Sequence, residues 1–166
     1  MSQMEPIFKI LKGKKLIGRR MKMSIAENRT FELWKSFMPE RKNIKNSVGN
    51  DLYSVQIYGN HFDFKVFNPD EEFEKWAAIE VMDFDSIPDK MESLVIPEGL
   101  YAVFTHKGPA SEGTKTFSYI FGKWLLESGY KIDYRPHFEI LGNKYKNDHS
   151  DSEEDIWIPI RSAIQT

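Results

Sequence analysis

The order in which apolar patterns follow one another constrains this chain most, because the same order occurs twice. Residues 15–23 (KLIGRRMKM) alternate as a strand does, and Ser24 and Glu27 then stand in capping-box spacing, which predicts a helix from there. Phe31, Trp34, Phe37 and Met38 supply its apolar face, and Pro39 predicts its end or a kink. Residues 51–58 (DLYSVQIY) and 75–82 (KWAAIEVM) follow as strands, while 62–74 form a polar and aromatic connection without a period. The series then starts again. Residues 100–106 (LYAVFTH) are a strand broken by Gly108-Pro109. Phe117, Ile120, Phe121, Trp124 and Leu125 fall on one face of a helix that Gly129 ends, and strands follow at 137–141 and 155–160. Phe31-Glu-Leu-Trp34 is echoed by Phe121-Gly-Lys-Trp124.

Two β-α-β-β units predict an α+β fold, an antiparallel-rich sheet with two helices on one face and a ligand groove on the other. Residues 1–166 then form one domain with half-repeats at about 1–92 and 93–166. In the last strand Ile156, Ile158 and Ile160 suit the helix-covered core, and Asp155, Trp157 and Pro159 point the other way. In 137–141, Phe138 and Ile140 alternate with His137, Glu139 and Leu141, which places Glu139 and Trp157 together on the open face. Glu139 stands out because a carboxylate in a half-buried strand is costly unless paired; on a solvated face it would be ordinary.

Composition removes several functions. With 25 acidic and 23 basic side chains there is no global field to attract nucleic acid, so no direct DNA binding is expected. The absence of cysteine removes disulfides, thiol nucleophiles and thiolate metal sites, and fits a reducing compartment. No leader-like apolar core opens the chain and no run approaches spanning length, so a cytoplasmic protein without membrane contact is expected. The segment GPASEGTKT (108–116) resembles a phosphate loop, but Thr114 stands where lysine is required, and Lys115, one residue late, is turned about 100° away on a helix. The acidic run 148–155 (DHSDSEED) lacks the glycine and terminal glutamate of a calcium loop and suits a solvated hairpin connection. His61, His106, His137 and His149 show no paired metal spacing, so neither metal nor cofactor is expected; His137 matters only as a neighbour of Glu139. Asp83, Asp85, Asp89 and Glu92 put acidity into one connection, which suits solvent or a protein partner.

The segments YAVFTHKGP (101–109), WLLESGY (124–130), HFEIL (137–141) and DIWIPI (155–160) resemble the effector-binding domain of bacterial multidrug-responsive transcription activators, which is shared with the gyrase inhibitory protein. That resemblance implies two β-α-β-β units holding a small aromatic or cationic molecule in the groove between them. It also implies a ligand-facing glutamate at Glu139, with aromatics at Trp157, Tyr53, Trp76 and Tyr101; alternation does not fix the face of Tyr101. No helix-turn-helix precedes residue 15, so the expectation is a stand-alone binding protein for a small hydrophobic or cationic organic ligand, acting through a partner or by sequestering the ligand. Two alternatives stay open. One is a hydrolase of reactive electrophiles with Glu139 as base and Tyr53 or Tyr101 assisting. The other is a protein-binding module like the gyrase inhibitor.

Overall fold

The computed structural model describes residues 4–60, 62–64, 66, 68–146 and 149–163; His61 and Asp148, singled out above, lie outside them. The chain runs β1 (Ile7–Leu11), β2 (Lys14–Met23), α1 (Thr30–Phe37), β3 (Leu52–Ile57), β4 (Phe73–Glu80), β5 (Glu92–Ile96) and β6 (Gly99–Lys107). Helix α2 (Gly113–Tyr119) then passes through a π-helical turn, Ile120–Trp124, into α3 (Leu125–Ser128), followed by β7 (Tyr130–Ile132), β8 (His137–Leu141) and β9 (Glu153–Ser162). The fold is α+β with an antiparallel sheet, as expected. Strands β1, β5 and β7 were not foreseen, and Glu92 belongs to β5 rather than to a connection.

Helix α1 starts later than the capping box predicts. Ser24 Oγ does accept from the Glu27 amide (3.0 Å), but the two close a turn; Asn28 Oδ1 takes the Thr30 amide (2.9 Å), and the helix begins there. At Pro39 the chain continues only as a 3-10 segment, Met38–Asn43. Gly129, at φ 81°, ends α3 in the left-handed conformation that glycine adopts without penalty.

The strand order is β1-β6-β9-β8-β3-β4-β2-β5, with β7 beside β9. Two short links bend it. In a flat sheet β1 and β2 would stand about 29 Å apart at the usual spacing, yet Lys12-Gly13 joins them, a link of at most about 11 Å. Pro97-Glu98 joins β5 to β6 across the same span. The sheet therefore curls until its ends meet, and Leu11 of β1 and Ile96 of β5 share one buried cluster with Tyr53, Tyr101, Phe138 and Trp157. The order is also symmetric about the β3-β8 seam: β1 edges β6 of the second half, and β5 edges β2 of the first.

Both helical segments pack on the outer, convex face. Leu33 and Phe37 of α1 sit on Ile17 and Ala77, whereas Ile120, Trp124 and Leu125 sit on Phe104, Ile156 and Ile158. Register identifies the face of every other strand residue. Ala77 lies opposite Ser54, Ser54 opposite Glu139, and Glu139 opposite Ile156. Directly opposed residues share a face, so Glu139 is on the helix-bearing side. Trp157 pairs with Phe138 on the concave side. The expectation that Glu139 and Trp157 share one face is thus corrected.

Candidate functional site

The helices cover the flanks of the convex face and leave the central strands β3 and β8 to other residues. There Ser54, Gln56, His137 and Glu139 are all buried, a polar strip between two apolar clusters. Each arrives by strand alternation: Ser54 and Gln56 on β3 lie opposite Glu139 and His137 on β8. Lys75, opposite Gln56, and Glu154, two residues before Ile156, extend the strip on either side and are half-buried.

Glu139 is only 7% exposed, and its Oε2 has no hydrogen-bond partner among the described residues. Burial pushes its carboxyl up to about 7; the Lys75 charge opposes that, the Glu154 charge adds to it, and a side-chain hydrogen bond from Gln56 opposes it. A buried carboxylate oxygen left without a donor is expensive to the fold. His137 is pushed down to about 3 by burial and then by the Arg135 charge, so its ring is neutral at ordinary pH. Glu154 is raised by burial and lowered by Lys75.

Aromatic rings converge above this strip. The Tyr58 ring meets His137 edge-on at 4.8 Å, and Phe64 stacks on His137 at 5.3 Å. Phe64 also stacks on Phe121 at 5.1 Å, and Phe62 lies 4.6 Å from Tyr58. The Tyr58 hydroxyl is pushed up by burial first and by the Glu139 charge second, so it stays protonated. Phe121 belongs to the π-helical turn, a local widening of the helix that is frequent at functional sites. Burial, a carboxylate oxygen without a donor and ring faces together suit an organic cation, since cation–π contacts contribute about 0.5–2 kcal/mol each.

The four aromatics expected beside Glu139 lie elsewhere. Tyr53, Trp76, Tyr101 and Trp157 all belong to the concave interior, on the opposite side of the sheet. Tyr101 donates to the Pro136 carbonyl (2.9 Å), Trp76 Nε1 donates to Glu74 (3.1 Å), and Trp157 stacks on Phe138 at 5.2 Å. Tyr53 and Tyr101 therefore do not stand beside Glu139 as assistants; Tyr58 is the tyrosine that does. Of the expected set the strip unites Glu139 and His137. Tyr58, Phe62, Phe64, Phe121, Lys75 and Gln56 were missed. Phe121 carries a signal as an aromatic on the apolar helix face, which by itself does not separate core from site, and Phe62 and Phe64 lie in the connection that has no period.

Among the described residues no three of His, Asp and Glu gather closely enough to hold a metal ion, and no helix is long and apolar enough to cross a membrane.

The α+β fold, matched by a family model over most of the chain, is that of an effector-binding domain. Residues 9–160 match Cass2, the integron-associated effector binding protein family, and the chain belongs to that family. The transcriptional regulator BrlR of Pseudomonas aeruginosa is 28% identical over 130 residues, 78% of this chain but 45% of the regulator, so the chain spans less than half of that relative. SAV2435, solved bound to tetraphenylphosphonium, superimposes with a TM-score of 0.73 at 14% identity over 95% of this chain and 94% of that one. EcmrR in its DNA complex does so with a TM-score of 0.69 at 17% identity, over 96% of this chain and 58% of EcmrR. At those identities the likeness is one of fold.

Proposed function

We propose that this chain binds a bulky hydrophobic organic cation between its helices, with Glu139 as the counter-charge. The observation that carries the reading is the unpartnered, buried Oε2 of Glu139 beneath the rings of Tyr58, Phe64 and Phe121. A cation supplies the missing partner, and the rings supply apolar and quadrupolar contact with its substituents. The tetraphenylphosphonium found on SAV2435 is a ligand of that chemistry. His137, neutral and stacked on Phe64, is a wall of the site rather than a second charge. We assign the protein to the cytoplasm, where it serves transcription through a DNA-binding partner or by sequestering the ligand. DNA contact by this domain itself is disfavoured by its balanced charge.

Calorimetric titration at pH 8 with tetraphenylphosphonium and with neutral triphenylphosphine oxide tests the reading. Glu139→Gln should weaken the cation at least about tenfold, equivalent to about 1.4 kcal/mol, and leave the neutral compound nearly unchanged. Equal affinity of both proteins for the cation would refute it.

A further inference from the structure

The strip holds more charge than one carboxylate. On the convex face the register sets Lys75, Gln56 and His137 in one row across β4, β3 and β8, and Ala77, Ser54, Glu139 and Ile156 in the next. Glu154 stands one row further along β9, diagonal to Glu139, where neighbours lie about 7–8 Å apart. Lys75 points to this face because its neighbours Glu74 and Trp76 point to the other, Trp76 into the concave cluster. Three cations of the fold are held at close range: Lys14 by Glu80 at 3.2 Å, Arg20 by Glu92 at 2.8 Å, Arg135 by Asp133 at 2.8 Å. Among the described residues Lys75 has no such contact, yet its charge bears on both Glu139 and Glu154.

We infer that Lys75 sets the charge the groove accepts: two carboxylates and one resident ammonium leave a single unmatched negative charge, so the site takes a monocation and turns away a dication. This rests on the cation-binding reading of Glu139 and specifies its ligand class. A ligand cation entering beside Glu139 shares the field of the two carboxylates with Lys75 and is repelled by it. A second ligand charge would meet that ammonium with no carboxylate left to offset it. The flexible stem of a lysine can move aside for a bulky ligand without breaking a close ion pair.

The test is titration at pH 8 of the wild type, Lys75→Met, Lys75→Gln and Lys75→Arg with tetraphenylphosphonium, the dication methyl viologen, and neutral triphenylphosphine oxide. The wild type should prefer the monocation. Both neutral variants should bind tetraphenylphosphonium about fivefold or more tightly and gain the dication, as Coulomb repulsion at an intermediate dielectric demands. Lys75→Arg should behave as wild type, and the neutral compound should respond to none of the changes. Having two neutral variants guards against one that fails to fold. The inference is overturned if tetraphenylphosphonium binds in a Glu139-dependent way but is indifferent to, or weakened by, loss of the Lys75 charge. It is likewise overturned if the wild type takes the dication as readily. If the wild type binds tetraphenylphosphonium without any dependence on Glu139, the cation reading itself fails, and this inference falls with it.

Discussion

Replacing Glu139 by glutamine should make the protein more stable at alkaline pH. The carboxyl ordinarily titrates at 4.5 and in the folded chain is pushed up to about 7, chiefly by burial. Well below pH 4.5 the group is protonated in folded and unfolded chains alike. Between 4.5 and about 7 the unfolded chain releases the proton while the folded chain keeps it, so stability falls; above about 7 the loss is complete. At about 1.36 kcal/mol per pH unit, that interval amounts to about 3 kcal/mol. Glutamine carries no charge to desolvate, although its amide also needs partners, so a gain of about 2–3 kcal/mol at pH 8 is expected, with little change at pH 4.5. For a chain of this size that raises Tm by roughly 5–10 °C. Melting curves of both proteins at pH 4.5 and pH 8 measure it. A glutamine variant that melts lower at pH 8, or one shifted equally at both pH values, would refute the claim that a desolvated carboxylate strains this site.

Four further outcomes follow from the same geometry. Tetraphenylphosphonium affinity should rise about five- to tenfold between pH 6 and pH 8 as Glu139 ionises near 7, and Glu139→Gln should flatten that profile in titrations at each pH. Phe121→Ala should weaken the same cation by about 0.5–2 kcal/mol, seen by calorimetry, with the fold retained because Phe121 is only partly buried. Trp157→Ala should cost about 3–5 kcal/mol in urea unfolding while changing cation affinity by less than about twofold, since it lies on the opposite face of the sheet. Gly18→Ala should destabilise by about 1–3 kcal/mol or more, because a Cβ there would collide with the Ala77 carbonyl and with Ala78; denaturation midpoints decide it.

Much of the scaffold was legible in the residues, for identifiable reasons. The strands at β2, β3, β4, β6, β8 and β9 announce themselves by alternation, and the α2–α3 face by its 3.6-residue period. Glu139 was visible as a charge in an apolar strand. Its face was not, because polarity distinguishes faces only when one of them meets water. Here the curl buries Trp157 and the helices bury Ile156, so both parities of β9 are apolar, and only the pairing of Glu139 with Ile156 decides. The edge strands β1 and β5 carry little pattern because each is five residues long and largely exposed, with only Leu11 and Ile96 buried. The rings of Phe62 and Phe64 come from an irregular connection, and nothing local tells such a segment which strand it will cover.

The exchange of first strands between the halves governs how the sheet can open. Because β1 edges β6 and β5 edges β2, each half of the chain supplies the edge strand for the other's part of the sheet. Neither half owns a complete sheet, so the two should open as one cooperative unit, with amide protons of β3 and β8 exchanging only on global unfolding.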